Sequence, residues 1–256
     1  MTDHILTKIN DGVLEIRMNR PEKKNALTNE MYSALADALL GADEDRRVRV
    51  IWITGVGDAF TSGNDVNSFL EGARDAGAEL DANRFLPALV IVETPLIAAV
   101  NGMAIGIGST MLLHCDMVHA AEGASFCFPF TNLGVVPEAA STMVLPHIAG
   151  HQKAMELFLM SERFDVATAC EAGMINHVFS SEDLEAKSLA IAKRLAQKPA
   201  RAMRMTKRLV RRSYPDLVKA MEDESPLFTE MMHSPEAQEA FSAFLEKRKP
   251  DFSQFN

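Results

Sequence analysis

Cysteine is scarce in this chain: Cys115, Cys127 and Cys170 are odd in number, far apart and without a C-x-x-C pair. That excludes a disulfide framework, gives no zinc-binding spacing, and is what a reducing compartment leaves. No apolar run approaches the ~20 residues needed to cross a bilayer. Residues 1–10 lack the charged start and apolar stretch of a secretory signal. Ser253-Gln254-Phe255-Asn256 is neither a peroxisomal nor an ER address. A cytoplasmic location without a membrane partner is the expectation. Positive charge is also in deficit, with 26 Lys and Arg against 35 Asp and Glu and a formal net charge of −9. That balance argues against a general nucleic-acid-binding surface. It leaves room for an anionic ligand, whose phosphates respond to a local patch. Low-complexity segments and internal sequence repeats are absent too.

What is present is an ordinary globular composition, 47% hydrophobic and 24% charged over 256 residues, enough to bury a sizeable core. Residues 5–9 and 12–18 read as strands joined at the hairpin signal Asn10-Asp11-Gly12. Thr28 is an N-cap candidate for an amphipathic helix to about Leu40. Arg49 to Thr54 is an apolar strand, followed by a short helix from about Asp65 and a longer one over 79–92. Leu96 to Val100 and Met117 to Ala120 read as strands, with a helix from Gly106 to His114 between them. From Ala139 helices dominate, apart from a strand at Asn176 to Phe179. This pattern predicts an α/β chain with a mixed core over 1–195 and a helical region over 196–256.

Three segments can carry chemistry. Gly63-Asn64-Asp65-Val66 follows a strand and opens a helix, whose first N–H groups lack intrahelical partners and can face an anion; read alone, it serves more readily as an ordinary helix start capped by Asp65. Asn101 to Thr110 imitates a dinucleotide fingerprint but fails it, because the third glycine of G-x-G-x-x-G falls on Met111. What remains is a glycine-flanked helix start whose Ile107 N–H can face a ligand, or glycines kept for close packing. Glu138, after Pro137 and among small and apolar residues, is a lone carboxylate whose surroundings raise its pKa and suit a general base. Its bland reading is a first-turn helix glutamate.

Other features carry less. His147 and His151 are separated by Gly150 and have no third ligand nearby, so no metal site is expected. His114-Cys115-Asp116 are consecutive and cannot share one helix face. Arg201, Arg204, Lys207, Arg208, Arg211 and Arg212 form a basic helix, read as a solvated or interface face and, less readily, as an anion site.

Taken in order, these segments resemble the enoyl-CoA hydratase/isomerase (crotonase) superfamily over nearly the whole chain. The likeness runs from Asn19-Arg20-Pro21-Glu22-Lys23-Lys24-Asn25-Ala26-Leu27, through Ser62 to Val66 and the Gly106 helix, to Phe241 through Phe252. It implies a spiral of ββα units followed by helices that build homotrimers, often paired into hexamers. It implies an acyl-CoA thioester substrate, with coenzyme A part of that substrate and no separate cofactor. CoA contacts map onto Lys24, Asn25, Ala26, Leu27, Ser62, Gly63, Asn64, Asp65 and Val66, with Phe244 and Lys247 reaching CoA on the same or a neighbouring subunit. Two oxyanion-hole donors map onto the backbone N–H groups of Asn64 and Ile107.

The departures from the family pattern are informative. The two glutamates of the family's hydratases fall here on Thr110 and Phe130, neither of which is an acid. Glu138 stands where Δ3,Δ2-enoyl-CoA isomerases carry a single catalytic glutamate, and Ser62-Gly63-Asn64-Asp65 followed by Phe69 looks like the peroxisomal-type isomerase branch. The resemblance therefore implies an isomerase, with Phe69, Phe126, Phe128 and Phe130 as candidate walls of the acyl pocket. The alternatives are hydration or another lyase or hydrolase reaction of this superfamily. Of another class are a catalytically silent CoA binder and RNA binding through the Arg201–Arg212 helix.

Overall fold

The computed structural model describes residues 3–65, 82–212 and 216–255, the Asn83 side chain excepted. The N-terminal hairpin forms where its turn signal lies. β1 (Ile5–Asn10) and β2 (Val13–Met18) pair antiparallel, and Asp11 and Gly12 take φ of 51° and 80°, a twist that suits a two-residue turn.

From β2 onward the strands of the larger sheet run parallel. β3 (Val50–Gly55) is followed by β4 (Ala59–Thr61), β5 (Leu96–Val100) by β6 (Met103–Ile105), and β7 (Met117–Ala121) by β8 (Ser125–Cys127). The first strand of each pair joins a six-stranded sheet ordered β1-β2-β3-β5-β7-β10, closed by β10 (His177–Phe179). The second joins a four-stranded sheet ordered β4-β6-β8-β9, where β9 (Phe164–Asp165) pairs antiparallel with β8. Each pass of the chain thus adds one strand to both sheets, which is the expected spiral.

β3 and β5 are buried at every position, which explains their unbroken apolar sequence: a parallel sheet here is covered on both faces. Val50 and Trp52 point into one core with Ile97, Ala99 and Leu184. Ile51 and Ile53 point into the larger core with Leu96, Ala98 and Leu35.

The helix expected to end near Leu40 continues as α1 (Asn29–Glu44). Ala42 is buried, and the Asp43 carboxylate accepts the N–H groups of Glu93 and Thr94 at 2.9 and 2.8 Å, so tertiary contacts hold the extra turn. The next described helix, α2 (Ala82–Ile91), packs on α1; the short helix expected after Asp65 lies outside the described residues. α3 (Ile107–Thr110) tightens into a 3-10 turn over Met111–His114. β6, β8 and β9 were not anticipated, since two or three residues carry no readable period.

Beyond β8 come α4 (Ser141–Ala149), α5 (His151–Met160), α6 (Val166–Glu171), α7 (Leu184–Ala196), α8 (Ala200–Arg211), α9 (Leu217–Met232) and α10 (Pro235–Leu245). The basic helix α8, expected as a solvated or interface face, leaves Arg201, Arg208 and Arg212 exposed and turns the rest of its cationic stripe inward. Arg204 donates to Asp43 O and Thr94 Oγ1, Lys207 to Thr94 O at 3.0 Å, and Arg211 to the carbonyls of Val90, Val92 and His114. Lys207 also pairs with Asp116 at 2.6 Å. Carbonyls left by α1, α2 and the 3-10 turn explain why this stripe is cationic. Among the described residues no helix is long and apolar enough to cross a membrane.

Candidate active site

The first wall of the site is made where Asn19–Thr28 lies against the end of β4. Lys24 O accepts from Ser62 N at 2.9 Å, Gly63 O from Leu27 N at 2.8 Å, and Leu27 O from Asp65 N at 2.9 Å. Gly63 and Asp65 therefore turn their backbone groups towards Leu27. Alternation along an extended chain sends the Asn64 N–H the other way. Among the described residues it donates to no protein acceptor.

Side chains lock this segment. Asn25, fully buried at φ 55°, accepts from Arg20 N and donates to the carbonyls of Val56 and Ala59. Arg20 pairs with Asp65 at 2.6 Å. Tyr32, from the buried face of α1, donates its hydroxyl to Asn64 Oδ1. Burial, with the negative charge of Glu138 adding to it, holds the Tyr32 phenol well above its ordinary pKa, so it remains a donor.

The second wall is the β6–α3 junction. Gly63 has φ 93°, and a Cβ there would lie 2.8 Å from Ile105 O, so the two strand ends touch through backbone. Gly106 takes φ 57° with ψ −121°, a region open to glycine alone among ordinary residues. That turn starts α3 at Ile107, whose N–H precedes any intrahelical acceptor and, among the described residues, has no protein partner.

Glu138 forms the third wall. Thr110, fully buried on α3, donates its hydroxyl to Glu138 Oε1 at 2.6 Å. Burial raises the Glu138 pKa to about 7; the Thr110 hydrogen bond works against that rise, and the charge of Glu224 adds to it. Sequence reasoning placed Thr110 only as a missing acid; its contact with Glu138 needed the fold.

The remaining candidates are dispersed. The Lys24 ammonium is exposed and pairs with Asp58 at 2.6 Å, an attachment weak enough to exchange for a phosphate. Phe126 and Phe128 are fully buried and stack on Phe164, and Phe128 also meets Phe158 edge-on. Phe130 is buried beside these at 5% exposure. Phe244 and Lys247 are exposed at the end of α10. Val66 and Phe69 lie outside the described residues. His147 ends α4 and His151 begins α5 across Gly150, and no cluster of metal-ligating side chains occurs among the described residues. A groove of about 270 Å³ between α2 and α8 is lined by Arg204, Lys207, Arg208, Arg211 and Arg212 of the basic helix and by none of the candidate acyl-CoA residues.

Tyr32 and Glu224 were missed. Each sits at a helical position with an amphipathic explanation of its own, and no local signal marks either.

The family model described as enoyl-CoA hydratase/isomerase matches residues 8–255. Among curated proteins, the chain is 35% identical over 243 residues to the 2,3-dehydroadipyl-CoA hydratase of Escherichia coli K12, covering 94% of both. It is 34% identical over 226 residues to enoyl-CoA delta isomerase 2 of Rattus norvegicus, covering 86% of this chain and 57% of that longer protein. Among solved structures, an enoyl-CoA hydratase/isomerase from Pseudoalteromonas atlantica T6c superposes with a TM-score of 0.93 at 41% identity, covering 98% of this chain and 100% of the other.

Proposed function

The chain belongs to the enoyl-CoA hydratase/isomerase family, an acyl-CoA enzyme family, and within it we propose that this protein is a Δ3,Δ2-enoyl-CoA isomerase with Glu138 as its single acid–base. One observation carries the reading: the Glu138 carboxyl is bonded to the Thr110 hydroxyl where a hydratase of the family would need a second acid, and is poised near pH 7. Glu224, the nearby carboxylate, is committed to the N–H groups of Ala140 and Thr142 and to the Thr142 hydroxyl.

Moving a C3–C4 double bond to C2–C3 needs one proton removed at C2 and one returned at C4, on one face. Glu138 takes the C2 proton, and the C–H electron pair becomes the C1–C2 bond of an enolate while the carbonyl pair moves onto the thioester oxygen. The Asn64 and Ile107 N–H groups hold that oxygen, each lowering the barrier by about 3 kcal/mol. The carbonyl then re-forms, the C1–C2 pair shifts to C2–C3, and the former C3–C4 pair takes the proton back from Glu138 at C4. Water addition requires groups that position a water and deliver a second proton; Phe130 supplies neither, and the Thr110 hydroxyl is no acid and is committed to Glu138.

Lys24 to Leu27 and Ser62 to Val66 line the CoA path in this reading, with Phe244 and Lys247 contributing from the same or a neighbouring subunit of a homotrimer or hexamer. Phe69, Phe126, Phe128 and Phe130 keep the acyl region dry, and no cofactor beyond the CoA of the substrate takes part. The test is turnover of trans-3-hexenoyl-CoA beside crotonyl-CoA, with Glu138→Gln as control. Isomerisation without hydration, abolished in the variant while CoA still binds, is expected. Hydration of crotonyl-CoA, or isomerisation retained in the variant, would overturn it.

A further inference from the structure

We infer that Glu224, 86 residues further along the chain, is a positioning residue for Glu138: it clamps the backbone that aims the Glu138 side chain and keeps a second negative charge behind it. The inference rests on Glu138 being the base.

Ala139 and Ala140 both occupy the left-handed region, at φ 61° and 52°. For alanine that conformation is strained by its Cβ and persists only where the surroundings over-determine it. α4 starts immediately afterwards, and its N-cap residue, Ala140, has no side chain able to cap. The capping comes from α9 instead. Glu224, 8% exposed, accepts Ala140 N at 2.6 Å on one oxygen, and Thr142 N at 3.2 Å together with the Thr142 hydroxyl on the other. On the opposite side, buried His114 donates from Nε2 to Ala139 O at 2.6 Å. Two buried side chains from separate elements thus hold the two residues that follow Glu138.

All the contacts to Glu224 are donors, which a carboxylate accepts and a carboxamide cannot fully match. Among the described residues no cation pairs with it. Its charge therefore reaches Glu138 and opposes ionisation there. The other groups facing Glu138 bring no competing charge. Tyr32 on α1 stays a protonated phenol, Thr110 on α3 is neutral, and burial holds the His114 pKa down to about 4, so its ring is neutral. Arg211 and Lys207 lie beyond His114, committed to carbonyls and to Asp116.

The experiment is the pH profile of kcat and KM for isomerisation in the full-length enzyme, comparing wild type, Glu224→Gln and Glu224→Ala. Removing the charge should move the midpoint of kcat towards acid by about half a pH unit. Loosening the turn should lower the plateau by about three- to tenfold, more in Glu224→Ala, with KM little changed. An unchanged midpoint, or a loss of thermal stability with an unmoved profile, would overturn the proposal and leave Glu224 merely structural. Thr142→Val serves if the Glu224 variants do not fold. It removes one donor at an exposed residue, and its plateau should fall about twofold; an unaltered profile would count against the clamp. Glu138→Gln separates the two ideas. Its inactivity upholds the base whatever Glu224 does, and its activity would remove the base without involving Glu224.

Discussion

Among the described residues the Thr110 hydroxyl is the one group donating to the Glu138 carboxylate, so Thr110→Val isolates what that hydrogen bond does for the base. Thr110 is fully buried and Glu138 half-buried, so water does not readily take the place of the lost donor on the Thr110 side. A hydrogen bond to a charged acceptor is worth about 1.5–3 kcal/mol net, and one pKa unit corresponds to about 1.4 kcal/mol. The bond favours the ionised form. Losing it must therefore raise the pKa from about 7, by about one unit at the lower bound. At pH 7 the ionised fraction then falls from about a half to about a tenth, a roughly fivefold loss of kcat. By pH 9 most of the activity should return, since the base itself is intact. Stopped-flow or coupled isomerase rates between pH 5.5 and 9.5 measure this directly. A loss of the same size at every pH, or a midpoint displaced towards acid, would refute the reasoning.

Glu138 also links stability to pH. Its folded pKa of about 7 lies above the ordinary 4.5, so its favourable contribution is full below pH 4.5 and is lost as pH rises through 7. Glu138→Gln escapes that loss and should be the more stable protein above pH 7, by on the order of 3 kcal/mol; melting curves from pH 4 to 8 that stay parallel would contradict this. Gly63→Ala forces a Cβ to 2.8 Å from Ile105 O at a φ of 93°. The displaced Asn64 N–H should lower kcat by about a hundredfold with CoA binding retained, whereas wild-type kcat would show that this amide does not hold the oxyanion. Lys207→Ala leaves Asp116 without its counter-charge. Because the Asp116 side chain is 26% exposed, the cost should be about 2–3 kcal/mol, below the full buried-pair value. A denaturation midpoint unchanged from wild type would return α8 to the solvated face its sequence suggests.

The centre of the larger sheet was legible because β3 and β5 are six and five residues long and buried at every position, so they announce themselves as apolar runs bounded by glycine and proline. The second sheet was not. Its strands are two or three residues long, too short for periodicity, and they exist only because the larger sheet lines up the chain turns that follow its strands. Within the site, Glu138 stood out as an acid in apolar company, and Gly106 as a turn before a helix start. What the sequence could not reveal was convergence. Tyr32 reads as one more buried position of α1, Glu224 as one more acid of α9, and the basic stripe of α8 as surface. Each acquires its role from a backbone carbonyl, amide or carboxyl supplied by a segment distant in sequence.

The spiral path has a bearing on how such a protein can change. Both candidate oxyanion donors are main-chain atoms at the ends of neighbouring strands of the small sheet, so they belong to the course of the backbone and survive almost any exchange of side chain, as isoleucine at 107 illustrates. Positions 110, 130 and 138 are the reverse: they lie outside that frame and contribute only through what their side chains carry. In the proposed mechanism, drift at those three places would redirect the enolate once formed, while the two main-chain donors are inherited untouched.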